Sequence, residues 1–270
     1  MTDQYAVIGN PIAHSKSPQI HSQFAKQTRQ DLHYDKILGE KFDEDVRAFI
    51  NAGAKGLNIT VPFKEQAYAF ADELTLRAQT AGAVNTLIVL ENGSIRGDNT
   101  DGVGLVTDLG CNHLFNFSGA RILLLGAGGA AKGVVRPLLE GNPLELVIAN
   151  RTASKAQALA EQVKELGPVV GMGLNELAGK KFDLIINATA AGLSGDLPDI
   201  PDDCLDDGGW TYDMMYSSEP TAFVQWGKQH KAGKALDGLG MLVEQAAEAF
   251  YLWRGVRPET SAVIDTLRNQ

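Results

Sequence analysis

Residues 121–152 read RILLLGAGGAAKGVVRPLLEGNPLELVIANRT. An apolar run, 122–125, breaks into Gly126-Ala127-Gly128-Gly129-Ala130-Ala131 and then into a helical pattern. A second apolar run, 144–149, ends in Asn150-Arg151-Thr152. Strand, glycine turn, helix and strand form the setting in which G-x-G-x-x-[GA] holds a dinucleotide. Gly126 allows the tight exit from the strand, and Gly128 lets the backbone approach a pyrophosphate with no Cβ in the way. Ala131 stands where a third glycine often stands and is small enough for close helix–strand packing. The helix then offers unpaired N–H groups and a positive dipole end to the phosphates. The plainer alternative is a strand–turn–helix whose glycines only tighten the bend.

The end of the second strand speaks to the choice of cofactor. An NAD site usually has Asp or Glu there, bonded to the ribose 2′-hydroxyl. This chain has Asn150, Arg151 and Thr152, with Lys155 about one turn into the next helix. A carboxylate would repel a 2′-phosphate, whereas a guanidinium fork, a hydroxyl and an ammonium hold it. The expected cofactor is therefore NADP. Thr152 also reads as the cap of a helix beginning at Ala153, which is compatible with that role.

With 270 residues the chain can form one large domain or two ordinary ones. Its 44% apolar and 21% charged residues fit a globular protein in water. The net charge of −9 argues against nucleic acid and anionic membranes as partners. An anionic cofactor must then be met by local positive features. Cys111 and Cys204 make neither a disulfide framework nor a metal motif. The start of the chain reads as no signal peptide, and no segment reaches the length of a membrane span. The expectations are a small-molecule substrate, no metal, a monomer or homodimer, and a cytoplasmic location.

Strand and helix patterns alternate along the chain, which predicts a parallel α/β architecture. Before the nucleotide unit, strands are expected at 5–8, 32–38 and 56–61 and helices at 18–27, 43–52 and 63–70. A hairpin around Asn92-Gly93 should join 84–90 to 94–96. After it come a helix at 154–166, strands at 182–187, 211–213 and 235–236, and helices at 221–229, 241–253 and 260–268. The expected layout is an N-terminal α/β substrate domain, a doubly wound Rossmann-type domain, and C-terminal helices packed back on the first. The boundaries are 1–102 plus 239–270 for the first domain and 103–238 for the second. A ligand cleft between them is expected, because sites favour domain interfaces and the carboxyl ends of parallel strands.

Three polar stretches of the first domain carry candidate chemistry. In Asn10-Pro11-Ile12-Ala13-His14-Ser15-Lys16-Ser17-Pro18, Ser15 and Ser17 sit two apart, so both hydroxyls can face one side. They suit a hydroxylated or carboxylated ligand, or Ser17 simply caps the helix before Pro18. In Asn58-Ile59-Thr60-Val61-Pro62-Phe63-Lys64, Asn58 and Thr60 share a strand face, and Lys64 opens a helix. A cation is misplaced at that end of the dipole, which suits proton transfer; the alternative is a surface lysine. Gly97-Asp98-Asn99-Thr100-Asp101-Gly102 fails as a calcium loop, since Leu109 stands where the bidentate Glu belongs. It reads either as a turn or as the source of an Asp101 partner for Lys64, with Asn85 adding a hydrogen-bonding group. His14, His21, His33, His113 and His230 are scattered and read as surface or structural.

Together the segments GNPIAHSKSPQIH, NITVPFK, GAVNTL, GDNTDG, GAGGAA, ANRT, NAT and DGLGMLVEQA resemble the shikimate dehydrogenase family over essentially the whole chain. The resemblance implies NADPH-dependent reduction of 3-dehydroshikimate to shikimate in aromatic amino-acid biosynthesis. It implies that Lys64 and Asp101 form the catalytic pair and that Ser15 and Ser17 bind the substrate carboxylate. Asn58, Thr60, Asn85 and Gln245 would hold ring hydroxyls, with Tyr216 a further substrate contact. Gly126, Ala127, Gly128, Gly129 and Ala130 would cradle the pyrophosphate. Asn150, Arg151, Thr152 and Lys155 would surround the ribose phosphate, and Thr189, Met214 and Gly238 would line the nicotinamide. Ala190 departs from the pattern, where a hydroxyl residue or proline is expected. The rival readings are a dual-specificity quinate/shikimate dehydrogenase and a non-catalytic NADP-binding regulator. A folate-linked methylene dehydrogenase fits the paired serines and the NTDG segment poorly.

Overall fold

The computed structural model describes residues 2–189 and 196–270. In chain order the elements begin β1 (Asp3–Gly9), α1 (Ser17–Thr28), β2 (Leu32–Leu38), α2 (Phe42–Asn51), β3 (Gly56–Ile59) and α3 (Lys64–Phe70). Then come β4 (Glu73–Leu74), α4 (Leu76–Ala81), β5 (Thr86–Val89), β6 (Ile95–Asp98) and α5 (Asp101–Thr107). The nucleotide-type part holds β7 (Arg121–Leu125), α6 (Gly129–Glu140), β8 (Glu145–Asn150), α7 (Ala153–Val163), β9 (Val169–Gly173) and β10 (Phe182–Asn187). The chain ends with β11 (Leu205–Asp213), α8 (Ala222–Gln229), β12 (Lys234–Leu236), α9 (Leu239–Arg254) and α10 (Ser261–Arg268). It divides into two compact units, Met1–Gly104 with Val243–Asn269, and Leu105–Leu242.

In the first unit the sheet order is β2-β1-β3-β5-β6-β4. As the expected hairpin requires, β5 runs antiparallel to β6, and it runs antiparallel to β3 as well, which departs from the parallel pairing the alternating pattern suggested. At the Asn92-Gly93 turn between β5 and β6, Gly93 takes φ +85° and Asn92 Oδ1 accepts from the Ser94 N–H. This reversal decides where the polar residues meet. The C-terminal ends of β3 and β6 and the start of β5 lie at one end of the sheet, in the register Asn58–Thr86–Asp98. Lys64 follows β3, Asn85 precedes β5 and Asp101 follows β6, so all three emerge at that end.

The second unit's sheet runs β12-β11-β10-β7-β8-β9, with every pair parallel. The chain winds outward from β7 to β9, then returns to β10 on the other side. Such a sheet has its ligand crevice where the order reverses, between the ends of β7 and β10. The run after Arg121 is buried on both faces, as a central parallel strand requires. Ile122 and Leu124 join one core and Leu123 and Leu125 the other.

Several short elements differ from the expectations. β3 stops at Ile59, which leaves Thr60 beyond the strand, and α3 begins at Lys64 with Phe63 at its cap position. β11 starts at Leu205, earlier than the expected 211, and β4, α4 and β9 were not expected. The segment Asp108–Asn112 forms a π turn, in which buried Asp108 accepts from the Tyr212 hydroxyl at 2.7 Å. The departure at Ala190 lies outside the described residues.

Candidate active site

Lys64 Nζ donates to Asp101 Oδ2 at 2.6 Å. The lysine side chain is 30% exposed and the aspartate 12%, so the pair is mostly shielded while the ammonium stays open to solvent. The other carboxylate oxygen, Oδ1, accepts from Asn85 Nδ2 at 2.8 Å. Asn85 is the hub of the cluster. Its Oδ1 accepts from the Thr100 N–H at 2.9 Å and from the Thr86 hydroxyl at 2.9 Å. Its Nδ2 also reaches Thr100 Oγ1 at 3.0 Å and Gln245 Oε1 at 3.3 Å. Gln245 comes from α9, so a residue far along the chain joins this end of the first sheet.

Asn58 sits one step deeper. It accepts from the Tyr34 hydroxyl at 2.7 Å and donates to the Asn85 carbonyl and to Thr86 Oγ1. Its amide is thus occupied by the protein, as a buried polar group must be. Thr60 is half-buried beyond the end of β3, and Ser15 and Ser17 lie at the start of α1. The capping alternative for Ser17 fails, because Lys16 holds the cap position and Ser17 is the first helical residue. Ser15 Oγ instead accepts from the Ser17 N–H at 3.3 Å and donates to Ser17 Oγ at 3.2 Å, which pairs the hydroxyls. Among the described residues Ser15, Ser17 and Thr60 make no side-chain bond to the Lys64 cluster.

Below the cluster lies a network that sequence reasoning missed. Asp98, the last residue of β6, accepts two bonds from Arg77, at 3.0 and 2.6 Å, and one from the Thr75 hydroxyl at 2.6 Å. It also accepts from the Asn99 N–H at 2.7 Å, and Asn99 Oδ1 accepts from the Asp101 N–H at 3.1 Å. The loop that presents Asp101 is therefore bonded at each residue. The one available signal was Asp98 itself, an acid inside a strand ending in a polar loop.

In the second unit the glycine turn has the form a phosphate needs. Gly126 takes φ +107°, and a Cβ there would meet the Ala188 carbonyl at 3.1 Å. Gly128 and Gly129 are exposed, and a Cβ on either would meet nothing. No protein neighbour demands glycine at these two positions, so the space they leave faces outward. Ala127 is buried, and Ala130 lies exposed in the first turn of α6, whose N-terminus carries no side-chain cap. Unpaired N–H groups remain there for a ligand. β8 ends at Asn150, and Arg151, Thr152 and Lys155 are exposed beyond it. Thr152 holds the cap position of α7, yet its hydroxyl makes no capping bond. Among the described residues the Arg151 and Lys155 side chains make no ion pair. This donor set fits a dinucleotide bearing an extra phosphate.

At the ends of β10 and β11, Asn187 Oδ1 accepts from the Thr189 N–H and hydroxyl, at 3.1 and 2.7 Å. Asn187 Nδ2 donates to buried Asp213, whose carboxyl is pushed up by burial. Met214 is held through its N–H to the Asn187 carbonyl, and a Cβ on Gly238 would meet the Met214 carbonyl at 2.3 Å. Thr189, Met214 and Gly238 are thus gathered on one bracket. Tyr216 follows in the same segment, half-buried, with its phenol pushed up by burial.

Residues 7–87 match the shikimate dehydrogenase substrate binding domain. Residues 109–194 match the shikimate/quinate 5-dehydrogenase model, and 238–268 the shikimate 5'-dehydrogenase C-terminal domain. The NADP(+)-type shikimate dehydrogenase of Cellvibrio japonicus is 57% identical, covering 100% of this chain and 98% of that protein. The chain belongs to the shikimate dehydrogenase family. An Ael1 enzyme from Pseudomonas putida superposes with a TM-score of 0.93 at 45% identity, over 98% of both chains. A shikimate 5-dehydrogenase of Thermus thermophilus, solved with NADP(H) and shikimate, gives 0.85 at 31% identity over 99% of both chains. Membership gives the Lys64 cluster and the glycine turn a shared context: a substrate-binding model matches the stretch holding Lys64 and Asn85, and a dehydrogenase model the stretch holding Gly126 and Arg151.

Proposed function

We propose that this chain is an NADP-dependent shikimate dehydrogenase, reducing 3-dehydroshikimate to shikimate and running the reverse reaction. The observation that carries this reading is the 2.6 Å Lys64–Asp101 pair, braced by Asn85, in a chain of this family. The first unit would hold the substrate and the second the cofactor. Ser15 and Ser17 would take the ring carboxylate, and Thr60, Asn85, Gln245 and Tyr216 the hydroxyls. Asn58 acts mainly by fixing Asn85 and Thr86.

When bound, NADPH would supply the hydride that reduces the carbonyl carbon. Lys64 donates to the carbonyl oxygen as negative charge develops there, where a preorganised donor counts most. It delivers a proton to that oxygen, which leaves a secondary alcohol, and Asp101 holds the ammonium in line and shares the relay. Gly126, Ala127, Gly128, Gly129 and Ala130 would cradle the pyrophosphate. Asn150, Arg151, Thr152 and Lys155 would hold the ribose phosphate. Thr189, Met214 and Gly238 would flank the nicotinamide.

Every residue in this scheme comes from one chain, so a monomer suffices and a homodimer would carry two such sites. Among the described residues no helix is long and apolar enough to cross a membrane. Cys111 and Cys204 are free thiols, as a reducing compartment leaves them, and the proposed location is the cytoplasm.

The test follows nicotinamide absorbance with shikimate or quinate, each with NADP+ or NAD+. Fast NADP+ reduction by shikimate alone supports the reading. Comparable turnover of quinate would move the chain to the dual-specificity branch. NADPH binding without any turnover would favour a regulator and remove the catalytic role of Lys64.

A further inference from the structure

The strongest unexplained feature of the first unit is a guanidinium set between two carboxylates. Arg77 lies in α4, a helix of six residues. Its Nε and Nη2 donate to the two oxygens of Asp98, at 3.0 and 2.6 Å. Its Nη1 donates to Glu248 Oε1 at 2.9 Å. Asp98 is 1% exposed and Glu248 7%. Glu248 is held further by Arg257, through its second oxygen. A planar fork with donors on both sides can bridge two carboxylates at a fixed separation, which an ammonium cannot do.

The two carboxylates belong to the two elements that frame the Lys64 cluster. Asp98 ends β6 and anchors the loop whose third residue onward is Asp101. Glu248 lies one turn beyond Gln245 on α9. Asp101 and Gln245 both meet Asn85 Nδ2. Fixing Asp98 relative to Glu248 therefore fixes Asp101 relative to Gln245. We propose that Arg77 is a positioning residue of the dehydrogenase reaction, setting the spacing between the proton-relay carboxylate and the glutamine that faces the substrate. This rests on the function proposed above. Arg77 touches no reacting atom; it acts through Asp98 and Glu248.

The experiment measures steady-state kinetics of Arg77→Lys and Arg77→Ala with shikimate and NADP+ varied separately. Arg96→Ala serves as the control, because Arg96 lies on β6, the strand that ends in Asp98, but pairs with an exposed partner, Glu73. A displacement of about 1 Å at a reacting group can cost about a hundredfold. Arg77→Lys is therefore expected to lose on the order of tenfold to a hundredfold in kcat/KM for shikimate. KM for NADP+ should stay within about twofold of wild type, as should every parameter of Arg96→Ala. Adding guanidinium ion at millimolar concentration should restore part of the Arg77→Ala activity in a saturable way and leave wild type unchanged. Unchanged shikimate kinetics in a folded Arg77→Lys protein would overturn the proposal. So would equal losses toward shikimate and NADP+, the mark of a general structural role. Should Arg77→Ala not fold, Arg77→Lys and Glu248→Gln carry the same comparison. Absence of shikimate turnover in wild type sinks the function itself, an outcome distinct from either result on the variants.

Discussion

His21 makes the sharpest physical prediction, because burial outweighs everything else acting on its ring, the opposing effect of the Asn58 amide included. It lies in α1, 1% exposed, stacked on Tyr34 at 4.2 Å and surrounded by Phe24, Phe250 and Trp253. Neither ring nitrogen finds a hydrogen-bond partner among the described residues. Burial pushes its pKa from 6.5 down to about 3. The folded chain therefore keeps the ring neutral, while the unfolded chain takes up a proton near pH 6.5. Stability is full above that value and is lost as the pH falls from 6.5 toward 3. The loss is about 1.4 kcal/mol per pH unit, so about 2 kcal/mol at pH 5. His21→Phe keeps an aromatic ring in the stack and removes both the titration and two unpaired nitrogens. At pH 7 it should be neutral or stabilising, since an unsatisfied buried polar group costs about 1–3 kcal/mol.

The assay is thermal melting of wild type and His21→Phe at pH 7, 6 and 5. The remaining ionisable groups are common to both proteins and cancel in the difference. The variant's advantage should grow by about 2 kcal/mol between pH 7 and 5, or about 4–8 °C in Tm for a chain of this size. Parallel pH curves for the two proteins would refute the reasoning, because they would mean that His21 titrates alike folded and unfolded.

Three further outcomes are expected. Lys64→Ala should lower kcat by about a hundredfold to ten-thousandfold with little change in KM for shikimate, and an unchanged kcat removes the general-acid role. Arg151→Ala should raise KM for NADP+ by about tenfold to a hundredfold, the equivalent of about 1.5–3 kcal/mol of lost charged hydrogen bonding, and leave NAD+ use unaltered; equal effects on both cofactors contradict the phosphate assignment. Gly126→Ala must place a side chain at φ +107° against the Ala188 carbonyl. It should cost about 1–3 kcal/mol in a melt and weaken NADPH binding by titration, and a wild-type melt would show that the turn relaxes freely.

The centre of the second unit's sheet was legible because its signals are local. The buried run of β7, the glycine turn, α6 and β8 lie within one short stretch, whereas β11 begins six residues before the expected 211. Lys64 and Asp101 were individually legible as misplaced or clustered charge. Their contact depends on the reversal of β5, which the Asn-Gly turn signals as a hairpin with β6, while its antiparallel pairing with β3 had no local signal. Arg77 was not legible. Its helix is too short to show a period, and its partners lie 21 and 171 positions away. β9 was missed for a similar reason, since two of its five residues are glycine.

The chemistry at position 85 follows from charge. Asp101 presents one oxygen to Lys64 and the other to Asn85. A carboxylate at 85 would face that second oxygen at 2.8 Å, and two anions so close cannot both stay ionised without a large penalty. An apolar residue would leave the Asp101 oxygen and the buried Thr100 N–H without partners. Only a side chain with a donor and an acceptor meets both, and an amide does so with no charge of its own. The Lys64 ammonium is then the sole cation bonded to Asp101 among the described residues, so the pair carries no net charge before substrate arrives. On the proposed mechanism, negative charge developing on a substrate oxygen would meet a lysine that Asp101 already aligns.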